Sequence, residues 1–461
     1  MWIKNAQQIL SNAKNQRNKE LRQSALTIID EMVSQLQPNV LLERMLHRTG
    51  NRLYIGQSVI ELTDFDEFLV VGGGKAALGM TTPLVTCLHD KVLKGLLSIP
   101  HGMLSKPEFS SEIVFQEASH PIPDLRGAKA TRKMVNLLKD ANDRTLVFFL
   151  ISGGGSALMP LPANGISLDA KLETNRLLLE SGANIMEVNA VRKHCSAWKG
   201  GQAAKLAYPA TVVSLILSDV IGDPLDVIAS GPTVPDKSTF LDAFNILQKY
   251  RMWNKVDHSI RKRIRQGLRG IIPDTPKEGE IVFQRVLTEI IGNNRTATNI
   301  IANIGQSLGY QTLILTNFLQ GEAKEVGRVI GAIARQVEYS SGTFAKFGLI
   351  ILGGETTVTV FGNGKGGRNQ ELALSCSQLL SGTNEVAVVA FGTDGIDGIS
   401  KAAGAIVDGM TAQRVSDMGL NIEDSLQQND SGTVFKKIGD QILTGYTGTN
   451  VADVVLIISH H

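Results

Sequence analysis

Residues 150–160 read "LISGGGSALMP", and an earlier stretch, 69–79, reads "LVVGGGKAALG". Each is a short apolar run that stops at three glycines and passes directly into a segment suited to a helix. The later copy carries Ser156 where the earlier one carries Lys75. A strand that ends in a glycine turn and feeds a helix is the repeating unit of parallel sheets covered by helices. Read outward from these junctions, the chain offers further strands at 67–71, 94–99, 112–116, 145–151 and 211–218. Helices are expected at 19–35, 75–88, 125–140 and 170–206, the last broken near Gly182. A second series follows, with strands near 283–291, 311–316, 347–353, 357–361, 385–391 and 453–458 and helices near 295–308, 322–338 and 369–381. The linker-like "IIPDTPKEGE" at 271–280 separates the two series. The expectation is an α/β protein of two α/β domains, 1–275 and 276–461.

Composition narrows the function classes. With 46 Lys and Arg against 44 Asp and Glu, the net charge is only +2, which gives no reason to expect a nucleic acid or an anionic membrane as partner. Cys87, Cys195 and Cys376 are far apart and show no metal-ligand spacing, as expected of buried thiols in a reducing compartment. The N-terminus is amphipathic, without the apolar core of a signal peptide, and no run reaches the roughly 18 apolar residues of a membrane span. A soluble, cytoplasmic protein is expected, and a homo-oligomer is left open.

In open α/β sheets ligands bind beyond the carboxyl ends of the strands, so strand-end residues are the candidates. Gly72-Gly73-Gly74-Lys75 lacks Cβ atoms that would keep a phosphate from the backbone, and a helix N-terminus follows. It is not a Walker A loop, which would need glycine at Leu69 and a hydroxyl residue at Ala76. It matches a G-x-G-x-x-A dinucleotide loop through Gly72, Gly74 and Ala77, but the acidic residue expected about 20 positions later is missing from "KVLKGLLS" at 91–98. The alternative is a tight turn that seats helix on sheet.

The turn Ser152-Gly153-Gly154-Gly155-Ser156 fails as a nucleophile elbow because Leu158 stands where glycine is required. Its N–H groups and hydroxyls suit a carboxylate or phosphate, the alternative being a glycine turn with capping serines. Asp219 and Asp394 each end a strongly apolar strand, with Asp223 and Asp397 behind them, and offer hard oxygen ligands for Mg²⁺. In "GGETTVTVFGNGKGGRNQELAL" at 353–374, a hairpin or pair of strands is expected to lead to Lys365, Gly366, Gly367, Arg368 and Asn369 at the start of a helix, a clamp for polyphosphate. The basic run "RKRIRQGLR" at 261–269 fits a surface helix with one buried stripe.

Taken together, "GGGKAALGM", "ASHPIPD", "LISGGGSAL", "NAVRKHCSAWKGG", "LSDVIGDPLDVIASGPTVPD", "GGETTVTVFGNGKGGRNQELAL", "GTDGIDG", "AAGAIVDG" and "TGTNVAD" resemble one family in its own order. It is the glycerate 2-kinases with a C-terminal MOFRL domain, a family also labelled hydroxypyruvate reductase. The resemblance implies a Rossmann-like three-layer α/β/α first domain, a smaller α/β second domain and an active site in the cleft between them. It further implies ATP- and Mg²⁺-dependent phosphorylation of D-glycerate at its 2-hydroxyl, and places the family's active-site lysine and arginine on Lys75 and Arg368. To these the chemistry adds the 152–156 turn as cradle, Asp219 or Asp394 as metal ligand, Arg192 and Lys193 for a carboxylate, and His120 as a substrate contact. NAD(P)H-dependent reduction of hydroxypyruvate is the alternative.

The chain departs from the family wording at Gln202, at Ile399-Ser400-Lys401 in place of Pro-Thr-Asp, at Tyr446, and in "SIPHGM" at 98–103. None of these touches Lys75 or Arg368.

Overall fold

The computed structural model describes residues 1–103, 112–338 and 347–460. The chain forms two compact units, Pro38–Ile291 on the one hand and Met1–Gln37 with Gly292–His461 on the other. The division differs in two ways from the expected 1–275 and 276–461. The N-terminal helix Gln16–Gln35 buries Leu21, Ala25, Ile28, Ile29 and Met32 and packs within the unit that holds the C-terminal sheet. The strand expected at 283–291 belongs to the first sheet rather than opening the second.

The unit Pro38–Ile291 begins with an antiparallel ribbon of β1 (Leu46–Thr49), β2 (Arg52–Ile55) and β3 (Ser58–Glu61). Its main sheet holds β4 (Glu67–Gly73), β5 (Leu93–Pro100), β6 (Glu112–Ala118), β7 (Thr145–Ser152), β8 (Thr211–Leu217) and β9 (Val286–Gly292). They lie in the order β6-β5-β4-β7-β8-β9, and β6 to β8 are all parallel. Numbered by appearance, this is the 3-2-1-4-5-6 order of doubly wound nucleotide folds, and β4 and β7 flank its switch point. β7 is buried along its whole length, as a strand covered on both faces must be. On one face Val71 and Phe149 meet Met134, Leu138 and Trp198; on the other, Val70, Phe148 and Leu150 are equally buried.

Side-chain caps fix where the helices begin. Asp124 accepts the Gly127 N–H ahead of Leu125–Lys139, and Asn184 and Glu187 form a reciprocal capping box ahead of Ile185–His194. The single broken helix expected at 170–206 is three: Leu168–Glu180, Ile185–His194 and Gln202–Ala207.

The other unit is built on β10 (Thr312–Leu319), β11 (Leu349–Gly354), β12 (Val386–Gly392), β13 (Gly404–Asp408), β14 (Gln441–Ile442) and β15 (Asp453–Ser459). Their order is β10-β11-β15-β12-β13-β14, and only β10 and β11 run parallel. The sheet is therefore mixed, unlike the wholly parallel pattern of alternating strands and helices. Helices Ala323–Glu338 and Arg368–Leu380 pack together because a Cβ on Gly327 would sit 2.3 Å from the Leu372 carbonyl, a contact only glycine allows.

The strand expected at 357–361 is absent. Thr357 alone pairs with backbone, in an isolated bridge beside Glu322; beyond it Glu322 accepts the Thr359 N–H, and the Asn429 amide oxygen accepts those of Phe361 and Gly362. Among the described residues no helix is long and apolar enough to cross a membrane, and the three cysteines are free thiols.

Candidate active site

The two glycine turns lie side by side at the carboxyl ends of β4 and β7 and are stitched together. The Lys75 N–H donates to the Gly153 carbonyl at 2.9 Å, and the Gly74 N–H to the Ser98 carbonyl at 3.1 Å. The Ala76 N–H donates to Ser152 Oγ at 2.9 Å. These bonds occupy the donors that sequence reasoning assigned to a phosphate, and they turn Ser152 into a brace between the turns. Gly73 and Gly74 have packing reasons of their own: added Cβ atoms would lie 2.5 Å from the Ser98 carbonyl and 2.1 Å from Ser152 Oγ. In the second turn, by contrast, the N–H groups of Gly154, Gly155 and Ser156 take no protein acceptor among the described residues.

Gly154, at φ +83°, is where the lysine turn meets the rest of the site. A Cβ there would come within 2.9 Å of the His120 ring and 3.6 Å of Lys75 Cγ. Burial, reinforced by Lys75, lowers the proton affinity of His120.

Gly154, Ser156 and His120 open onto a cavity of about 680 Å³ whose wall includes Arg192, Lys171 and Lys199. Lys199, only 2% exposed, donates to the Ser156 carbonyl at 2.9 Å and to Ser156 Oγ at 2.8 Å. Ser156 Oγ also meets Ser230, which bonds to Asn189. Ser230 and Ala229 hold positive φ values of 61° and 50°, the kind of local strain that accumulates at functional positions. Burial drives Lys199 well below the ordinary lysine range, with Lys171 and Arg192 adding to the effect. Lys171, which donates to the Pro160 and Leu161 carbonyls, is pushed down to about 7 by its burial.

Arg192 reaches this cavity and bonds to Asn175 at 3.2 Å. Lys193, its neighbour in sequence, points elsewhere: it is buried between Asp226 at 3.1 Å and Asp236 at 3.2 Å. Consecutive helical residues diverge by about 100°, so the pair expected to act together is divided between ligand wall and internal ion pair.

In the other unit, Arg368 opens the helix Arg368–Leu380 and forks onto Asp453, with Nη2 to Oδ1 at 2.9 Å and Nε to the second oxygen. Its Nη1 reaches Glu355 at 2.7 Å. Burial opposes the charge, but the carboxylates outweigh it and hold the guanidinium protonated. Two of its five donors are left over.

Asp397 caps the same helix, accepting the N–H groups of Asn369 at 3.0 Å and Gln370 at 2.8 Å. Burial pushes it up to about 6 despite those bonds. Asn369 is itself buried and bonded to this cap, so it supports the arginine instead of facing a ligand. Gly366 and Gly367 are required by contacts with Ser431 and Asp397, which added Cβ atoms would approach within 2.3 Å. Lys365 is exposed on the loop, held through its backbone by Asp430. A second cavity, of about 470 Å³, is lined by Arg368, Glu355, Glu371 and Gly366.

Asp219 follows β8 and Asp394 follows β12, each half-buried, and Asp394 Oδ1 accepts the Ile396 N–H at 3.1 Å. Among the described residues no group of three or more His, Cys, Asp or Glu could cage a metal.

Sequence reasoning missed Lys171, Lys199, Glu355 and Asp453. Lys199 and Asp453 sit inside stretches already singled out, "SAWKGG" and "NVAD", and Glu355 directly follows a strand. Nothing in the sequence marks Lys171, whose burial depends on tertiary packing.

The chain matches a family described as a domain of unknown function, DUF4147, over residues 24–265 and the MOFRL family over 348–453. It is 38% identical to the glycerate 2-kinase of Pyrococcus horikoshii over 444 residues, which cover 95% of this chain and 97% of that protein. With the D-glycerate 2-kinase of Thermotoga maritima it shares 42% identity over 393 residues, 85% of this chain and 91% of that one. A crystal structure of glycerate kinase from Thermotoga maritima aligns with a TM-score of 0.84 at 37% identity, covering 96% of this chain and 100% of that one. With sequence and fold both shared along nearly their full length, the chain belongs to the glycerate kinase family.

Proposed function

We propose that the protein transfers the γ-phosphoryl group of ATP to the 2-hydroxyl of D-glycerate, giving 2-phosphoglycerate and ADP. The observation that carries this reading is the meeting of Lys75, His120 and Gly154 at the sheet's switch point, beside a cavity whose wall carries Lys171, Arg192 and Lys199. An anionic acceptor fits there, with a lysine beside it for the transferring charge. The names of the two glycerate 2-kinase relatives support the substrate and the position phosphorylated.

Phosphoryl transfer needs positioning and charge neutralisation above all. Lys75 and Arg368 supply the neutralisation, and the unpaired N–H groups of Gly154, Gly155 and Ser156, together with Lys365, hold anionic oxygens. In its neutral form His120 can take the proton that the hydroxyl loses. Asp219 or Asp394 would hold Mg²⁺, which when bound shields the charge of the nucleotide phosphates.

The test is steady-state kinetics on purified protein with ATP, Mg²⁺ and D-glycerate. Lys75→Ala and Arg368→Ala should each lower kcat by about a hundredfold or more, with circular dichroism unchanged. Full activity in either variant removes that residue from the chemistry.

A further inference from the structure

The 680 Å³ cavity holds basic side chains that carbonyls, a hydroxyl and an amide contact in place of carboxylates. Buried cations are ordinarily paired with carboxylates, because desolvation otherwise costs several kcal/mol. Lys193 obeys that rule with two aspartates. Lys199, Arg192 and Lys171, on the cavity wall, have no carboxylate partner among the described residues; their acceptors are carbonyls, the Ser156 hydroxyl and the Asn175 amide. The acidic residues on the same wall do not compensate: Glu173 is committed to Arg176 at 2.6 Å, and Asp169 lies exposed in the first turn of its helix.

An ammonium has three donors, and Lys199 spends two on Ser156. Arg192 keeps Nη donors that suit a carboxylate edge. Ile122, Leu168 and Leu172 add apolar surface to the wall, which strengthens charge pairing beside them.

We propose that Lys199 and Arg192, backed by Lys171, are the carboxylate anchor of this cavity, and that they select a 2-hydroxy acid over an uncharged polyol. The inference rests on the kinase reading and deepens it. In glycerate the 2-hydroxyl is on the carbon next to the carboxylate, whereas the 3-hydroxyl is one carbon further away. An anchored carboxylate therefore fixes the 2-hydroxyl within a narrow range, toward the rim where Gly154 adjoins Lys75 and His120. The anion also repairs the site: it pairs the buried cations and restores the proton affinity that Lys199 and Lys171 lose to burial.

The full-length variants Lys199→Met and Arg192→Gln test this, with Lys199→Arg as the charge-retaining control. Each of the first two should raise KM for D-glycerate about tenfold or more while KM for ATP stays within about twofold, and Lys199→Arg should recover part of the loss. An unchanged KM for glycerate, or a rise in KM for ATP instead, overturns the assignment. Thermal shift without nucleotide separates this inference from the reading beneath it. D-glycerate and D-lactate, but not glycerol, should stabilise the wild type and fail to stabilise Lys199→Met or Arg192→Gln. If the wild type turns over no glycerate, the kinase reading fails, and that same shift still supports the anchor when present and overturns it when absent. Should Lys199→Met not fold, Arg192→Gln carries both readouts.

Discussion

Lys171 shows how one buried side chain couples stability to pH. It is 3% exposed and titrates near 7 in the folded chain against 10.5 for a free lysine. Between those values the unfolded state binds the extra proton, so stability rises with pH across this window. The burial cost is absent above the unfolded value and fully present below the folded one. Lys171→Met should therefore improve relative stability at pH 6 compared with pH 10, by up to about 5 kcal/mol. Urea unfolding at the two pH values measures it; the same difference between variant and wild type at both would contradict the burial account. Single residues were unevenly legible in the sequence. Lys75 and Arg368 stand in glycine-rich stretches that the sequence singles out, and the family resemblance proposes their roles. The separation of Arg192 from Lys193, and the commitment of Ser152 to the Ala76 N–H, were not, since side-chain direction appears only once the helices are seated.

At the scale of elements, most strands of the first sheet were legible because continuous apolar runs closed by glycine are hard to read in another way. The ribbon β1 to β3 was overlooked, although its two-residue Gly50-Asn51 and Gly56-Gln57 turns are a hairpin signature; the strands were too short to show a period. The failed strand at 357–361 has the opposite lesson: a β-rich composition yields when distant side chains satisfy its backbone. The helix Gln16–Gln35 gained its place through contacts remote in sequence. Arg22, fully buried, bonds to Asp408 at 2.7 Å and Asp440 at 2.7 Å. Removing one partner of a buried pair strands the other charges, so Arg22→Met should cost about 3–5 kcal/mol. Thermal unfolding of the variant measures this, and an unchanged midpoint would mean the helix is held by its apolar face alone.

The molecule as a whole comprises a parallel doubly wound unit and a mixed-sheet unit that recruits the chain's first helices. The resemblance in ordered motifs reached this scale better than the linker did, because a Pro/Gly-rich stretch marks a turn without saying which sheet the next strand will join. The first sheet also bears on the reductase alternative: β5, the second strand, ends in Ser98-Ile99-Pro100, with no carboxylate for a dinucleotide ribose. The proposed reaction is the transfer of phosphate to the 2-oxygen of glycerate. Its most direct measurement is ³¹P and ¹H NMR of the product formed from ATP, Mg²⁺ and D-glycerate, with NADH and hydroxypyruvate incubated in parallel. The products expected are 2-phosphoglycerate and ADP, with no loss of NADH; 3-phosphoglycerate as product, or NADH oxidation without phosphorylation, would contradict the proposed reaction.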